Sequence, residues 1–308
     1  MIPLGPLGRA ARFVALAGGL AFTLVPVLWV ASLALRPAGA VTFPVSLLPP
    51  SLTLENLRTI LFTDLGIGPR PYLNAAFYGI SCGVITAIIS LMGGYALVRY
   101  DLAFGRALLL VFLALNFLPA AARLIPLFLL YVQLGLYDTQ VGVILAYVAG
   151  ITPLGIWLMA GTISQIPIRL EQAARIDGAG SATMARRILL PLAMPGVLVV
   201  ATLAFVDGWN SFSLPLILMQ RADAQSYTVV LQKYVQADVG INWNLLAAGS
   251  LLALIPVLTA FALLQRRLIT SGGFRAPRPR RSLGMWQDHD ARVRRGIRED
   301  RGRTTVVR

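Results

Sequence analysis

The sequence predicts an all-α integral membrane protein with six spans. Three observations carry that expectation. The 308 residues are 57% hydrophobic and only 13% charged, against about 25% charged in soluble domains. The apolar residues fall in runs long enough to cross the ~30 Å hydrocarbon core at ~1.5 Å per helical residue. One long polar stretch, Arg169–Pro191, interrupts those runs and is rich in arginine.

Composition also excludes chemistry. Lys233 is the only lysine and lies between Gln232 and Tyr234. A Walker A loop requires Gly-Lys-Ser/Thr to reach nucleotide phosphates, so this chain has no P-loop for ATP. Cys82 is the single cysteine, which rules out an intramolecular disulfide. His289 is the single histidine and belongs to a polar tail. A His/Cys metal cluster and a Ser-His-Asp or Cys-His pair in the membrane body are therefore excluded. No catalytic residue, metal or cofactor is expected on the chain itself.

Phe13–Leu35 is the first apolar run, 23 residues long. Its rival reading is a signal peptide cleaved at Ala38-Gly39-Ala40, but signal cores run only about 7–15 residues. A retained helix is expected. Arg36–Pro71 is polar and proline-punctuated, with one short helix predicted over Leu54–Phe62 and Thr53 as its N-cap. Tyr72–Val98, the second span, is rich in Gly, Ala and Ser, residue types that let helix backbones approach closely in lipid.

The third span is predicted over Ala107–Tyr131, broken by Pro119 and Pro126, and the fourth over Val141–Gly161. The fifth, Leu192–Met219, is interrupted around Asp207–Ser213, and the sixth, Leu245–Leu264, is ended by Arg266-Arg267. These elements divide the chain into an N-terminal helix and external segment (1–71), a five-helix core (72–268) and a basic tail (269–308). From residue 276 onward the tail holds ten arginines and four acids. It reads as a disordered segment resting on anionic lipid, and with Trp286 as its one stacking aromatic no nucleic acid is expected as a partner.

Six spans put both termini on one side, and arginine and lysine counting identifies it as cytoplasmic. The terminus side carries 21 basic residues and the other side 5. Arg169–Pro191 is then cytoplasmic. Glu171 and Arg175 are spaced for a surface pair, Ala173 and Ala174 offer a small flat face, Gly178 suits a helix stop after Asp177, and Ser181 suits the next N-cap. At 30 residues from Thr162 to Pro191, the loop far exceeds the ~2–8 residues of an ordinary helix connection. It reads as a docking element for a partner.

That stretch resembles the signature of inner-membrane permease subunits of ATP-binding-cassette importers: E-A-A-x-x-x-G, nine residues, then I-x-L-P. Ala173-Ala174, Gly178, Ile188, Leu190 and Pro191 fall in register. The acid position holds Gln172, with Glu171 beside it as the alternative acid. The resemblance runs from about Arg12 to Arg275. Phe43–Asn56, Asp207–Phe212 with Pro215, and Gln265–Arg267 with Gly272-Gly273 look like the carbohydrate branch of the family. It implies a type I importer permease fold in a bacterial inner membrane, with this loop as a coupling helix. It also implies a second homologous permease, two cytoplasmic ATPases that bind ATP and Mg, and an external solute-binding protein. The expected solute is a sugar. A polyol, glycerol phosphate or polyamine is the alternative, and a secondary transporter is a further one.

Arg123 and Asp207 are the charges placed inside spans, where ionisable residues are costly and usually functional. The expectation is that they pair with each other; the alternative is that they line the translocation pathway with Trp209 and Asn210. Asn74, Asn116 and Tyr147 are further polar groups in the spans, suited to a sugar or to helix–helix hydrogen bonding.

Overall fold

The computed structural model describes residues 6–37, 49, 51–100, 102–116, 119–236 and 240–270. The basic tail from 276, the 38–40 site and half of Phe43–Asn56 lie outside the described residues. The chain divides into two compact units, Met1–Arg267 and Leu268–Arg308. Of the second, only the end of the last helix is described.

Five helices are long and apolar enough to cross a membrane. They are α1 (Pro6–Ala34), α3 (Arg70–Arg99), α6 (Gln140–Ser164), α12 (Trp243–Thr270) and a continuous run over Ser181–Asn210. Between α1 and α3 stands α2 (Glu55–Phe62), where the Glu55 N–H donates to Thr53 Oγ1 at 3.1 Å. The expected cap is thus a residue earlier than the N-cap position, which Leu54 holds. α12 runs past Arg266-Arg267 rather than ending there.

The third predicted span requires correction. Ala107–Tyr131 is not one helix but two, α4 (Ala103–Leu115) and α5 (Ala120–Gln133), each shorter than a full crossing. Pro119 sits at the N-cap of α5 with φ −51° and ψ 132°. Proline offers no N–H to the preceding turn, and its ring disfavours a helical residue before it. Pro126, by contrast, is accommodated inside α5.

The polar stretch is also rebuilt. Its first half is α7 (Ile168–Ile176), which stops before Gly178 as expected. Its second half is no separate helix: α8 (Ser181–Met184), a π-helical turn (Ala185–Leu189) and α9 (Leu190–Asn210) are continuous. The π-turn ends at Leu189, close to Pro191, whose missing N–H interrupts the helical ladder. Gly180 holds the N-cap, so Ser181 is the first helical residue and not the cap.

After the break at Ser211-Phe212 come α10 (Ser213–Leu218), α11 (Tyr227–Val230) and a 3-10 turn at Leu231–Tyr234. The one strand pairing among the described residues is an antiparallel ladder of β1 (Val235–Gln236) with β2 (Gly240–Ile241), Val235 opposite Ile241.

α3 is the central helix and packs on α6 and α9. Gly94 shows why its sequence favours small residues: a Cβ there would stand 2.7 Å from Met159 Cβ and 2.8 Å from the Ala160 nitrogen. Buried Met159, Ile163, Ile166, Leu189 and Ala193 form one cluster where α6, the approach to α7 and the start of α9 meet, with Tyr95 and Val98 of α3 against it. α1 is the opposite case, with none of its apolar window buried. Only its end is tied down. Asn56 Nδ2 donates to the Ala34 and Arg36 carbonyls at 2.8 and 2.6 Å, and Asn244 Nδ2 to the Leu33 and Arg36 carbonyls at 3.2 Å each. These bonds satisfy carbonyls that a helix end leaves without partners.

Candidate docking element and membrane cavity

α7 has one face in and one face out. Ala174 and Glu171 are buried, at 7% and 3% exposure. Gln172, Ala173, Arg169 and Arg175 are exposed, and Ile176 at the tip is 86% exposed. Arg169, Gln172, Ala173 and Ile176 follow the helical spacing that sets side chains on one side, so they form the outward stripe.

The helix ends where the sequence predicted. Gly178 takes φ +82°, the left-handed region that costs a Cβ-bearing residue. The Ala179 N–H reaches the Ala174 carbonyl at 2.9 Å and the Gly178 N–H reaches the Arg175 carbonyl at 3.1 Å. This pair of bonds is the Schellman closure of a helix C-terminus. Asp177 is the exposed residue of the turn. Ile188 and Leu190 are half-buried in the continuous helix that follows, and Pro191 is exposed.

Two sequence expectations about this element change. Glu171 does not pair with Arg175, and it is not available as a substitute acid on the outward face. It turns inward, where Arg99 Nε lies 2.7 Å from Oε1 and the Tyr95 hydroxyl donates to Oε2 at 3.0 Å. The two charged side chains are 10% and 4% exposed. Arg99 Nη2 also donates to the Ile166 carbonyl at 2.9 Å and the Ile163 carbonyl at 3.5 Å. The neutral Gln172 is therefore what the outward face presents at the acid position of the motif. Sequence reasoning missed Tyr95 and Arg99. Their spacing of four on one face of a span, directly before a polar loop, was the available signal.

The second feature is a cavity of about 450 Å³ between α5, α6 and the break after α9. Arg123, Asn116, Asp207, Ser211 and Ser213 are its polar lining. Arg123 Nη1 donates to Asn116 Oδ1 at 3.3 Å. Among the described residues Arg123 and Asp207 form no ion pair within 4.0 Å; they share a cavity instead of a contact.

Trp209 and Asn210 separate from that pair. Trp209 is 2% exposed, donates from Nε1 to the Ala253 carbonyl at 3.0 Å, and lies in a cluster with Tyr227 and Leu231. It is core, not cavity wall. Asn210 Oδ1 accepts from the Tyr227 hydroxyl at 3.0 Å, and the Ser211 carbonyl accepts from Thr228 Oγ1 at 2.7 Å. These two bonds from α11 hold the helix break open. Asn74 donates to the Asp223 and Gln225 carbonyls at 2.9 and 3.0 Å. Tyr147 is 1% exposed, and its hydroxyl has no partner among the described residues.

The chain is 31% identical to the trehalose transport system permease protein SugB of Mycobacterium tuberculosis, over 82% of this chain and 92% of that protein. It is 30% identical to the diacetylchitobiose uptake system permease protein NgcG of Streptomyces coelicolor, over 82% and 84% respectively. In fold it is similar to a chain from the crystal structure of a bacterial ABC transporter involved in the import of the acidic polysaccharide alginate. There the TM-score is 0.72 and the identity 22%, over 86% of this chain and 99% of that one. Residues 79–270, which include α7 and the cavity, match the family described as the binding-protein-dependent transport system inner membrane component. The chain belongs to that family.

Proposed function

We propose that this chain is a permease subunit of an ATP-driven importer and forms half of the membrane pathway for a sugar or sugar-like solute. The observation that carries the proposal is α7, a short helix fixed from behind by Glu171 and presenting Arg169, Gln172, Ala173 and Ile176 outward. An apolar tip at 86% exposure on a rigid base is a surface made to be covered. In this reading α7 is the coupling helix, and it docks into a cytoplasmic ATPase.

The chain has no lysine placed for a P-loop, so ATP and Mg belong to two ATPase subunits. A second homologous permease completes the pathway, and an external binding protein delivers the solute. α4 and α5 together make one crossing, which gives six spans and puts both termini in the cytoplasm. The distribution of basic residues, 21 against 5, supports that orientation in a bacterial inner membrane. The relatives named for trehalose and diacetylchitobiose transport support a sugar as solute. Arg123 and Asp207 line the pathway within this subunit. ATP binding closes the ATPase pair, α7 moves with it, and the membrane helices switch between inward-facing and outward-facing states.

Co-purification from membranes tests the assembly. The chain is expected to carry an ATPase and a second permease with it. Replacing Ala173 and Ile176 with bulky charged residues is expected to release the ATPase; retention would refute docking through α7. Mass spectrometry of the ligand carried by the partner binding protein identifies the solute, and a non-carbohydrate there would refute the sugar assignment.

A further inference from the structure

We infer that Arg99, with Tyr95 and Glu171, is a latch that makes α7 move as one body with α3 and α6. The inference rests on α7 being the docking helix, and it concerns how a displacement of α7 reaches the membrane.

α7 is joined to α6 by three residues only, Gln165-Ile166-Pro167. A helix on so short a tether can pivot about the tether, and a push on its tip would then be spent in that pivot. Arg99 blocks the pivot. It is the last residue of α3, and its guanidinium reaches two other elements at once. Nε meets Glu171 of α7 at 2.7 Å, while Nη2 meets the Ile163 carbonyl of α6 at 3.5 Å and the Ile166 carbonyl of the tether at 2.9 Å. Tyr95, one turn earlier on α3, adds a hydroxyl to the other Glu171 oxygen at 3.0 Å. Both carboxylate oxygens are thus held, by two residues on one side of one helix.

The chemistry suits a rigid link better than a loose one. A guanidinium is planar and presents its donors in fixed directions, so bonds to several acceptors define an orientation as well as a distance. The pair is nearly dry, with side chains 10% and 4% exposed, and parting buried opposite charges leaves each without compensation. A cation at the end of α6 also meets the negative end of that helix. Immediately behind the latch lies the packed cluster of Ile163, Ile166, Leu189 and Met159, which ties the same corner to the start of α9. Sterically dense packing of this kind transmits a displacement instead of absorbing it.

The test uses the complete importer in lipid vesicles, with the ratio of solute transported to ATP hydrolysed as readout. Tyr95→Phe, Arg99→Lys and Arg99→Ala remove the latch in steps. Tyr95→Phe takes one hydroxyl, Arg99→Lys keeps a charge for Glu171 but loses the second branch, and Arg99→Ala removes both. None of these residues is on the outward face of α7, so the ATPases should remain bound. The ratio is expected to fall in that order. Arg99→Ala should lower it by about tenfold, within the ~5- to 150-fold range of coupling between distant sites. Glu171→Gln should lower the ratio as well.

A merely structural role would give less assembled complex whose transport per ATP stays at the wild-type value, and that result would overturn the latch. Equal ratios across the series would overturn it too. Loss of the ATPases from the wild-type chain would instead count against the docking reading, so the two failures are told apart.

Discussion

Replacing Gly178 with alanine isolates a backbone effect at the end of α7. Gly178 has φ +82°, and nothing lies within 4 Å of a Cβ built there. The cost therefore comes from the backbone alone, not from a clash. A Cβ in the left-handed region costs about 1–2 kcal/mol, which is a factor of roughly 5–30 in an equilibrium. Gly180, two residues on, supplies the control. It too has open space around a built Cβ, but its φ of −67° and ψ of 161° are ordinary extended backbone. Gly180→Ala should be within about 0.5 kcal/mol of wild type, or slightly stabilising through the unfolded chain. Titration of purified ATPase against the permease complex should show weaker affinity by about 5–30-fold for Gly178→Ala. The loss should be smaller for Gly178→Asn, because asparagine visits the left-handed region more readily, and Gly180→Ala should show none. Hydrogen exchange gives an independent check, since the Gly178 and Ala179 amides are the donors of the closing turn and should lose protection in Gly178→Ala. Equal behaviour of the two alanine variants would refute the reasoning.

Three further outcomes are expected. Gln172→Glu puts an acid on the outward face without touching the Arg99–Glu171 pair; ATPase affinity should change by about 0.2–1 kcal/mol, and the change should shrink at high salt, measured at two ionic strengths. Asn56→Ala removes the side-chain donor to the Ala34 carbonyl, while the Arg36 carbonyl keeps Asn244, and should cost about 1–3 kcal/mol, the penalty for a buried acceptor left unmade, read as a lower unfolding temperature. Arg123→Ala and Trp209→Phe should separate pathway from core: the first changes the rate or selectivity of solute transport in an intact complex, because Arg123 lines the cavity. The second chiefly lowers stability, because it leaves the Ala253 carbonyl without the indole donor.

Much of this molecule was legible in its sequence because lipid imposes simple rules. Backbone groups must be satisfied within each segment, so long apolar runs become helices, and α1, α3, α6 and α12 lie where those runs lie. Punctuation was legible as well: Gly178 ends α7 in the left-handed conformation that only a glycine takes cheaply, and the break after Asn210 falls inside the predicted interruption. Pro119 was noted and underestimated. It divides a run long enough for a single span into α4 and α5.

What periodicity could not assign is which way a polar side chain turns, because that depends on partners far along the chain. Glu171 was offered an Arg four residues away and chose one 72 positions earlier, since burial against α3 leaves a carboxylate no tolerable state except a held one. Arg123 and Asp207 were expected to pair, yet they meet a shared cavity instead of each other. Asp138 takes a φ of 57°, and its Oδ1 accepts from the Gln220 and Arg221 N–H groups at 2.9 Å, an anchor across more than 80 residues. The sequence by itself determined the all-helical class, the place of most of the long apolar helices and the place of the polar stretch that carries α7. Only the tertiary structure decided which face of that element is free, because hydrogen bonds and ion pairs are short-ranged and the packing of α3 against α6 and α9 selects which groups come within reach.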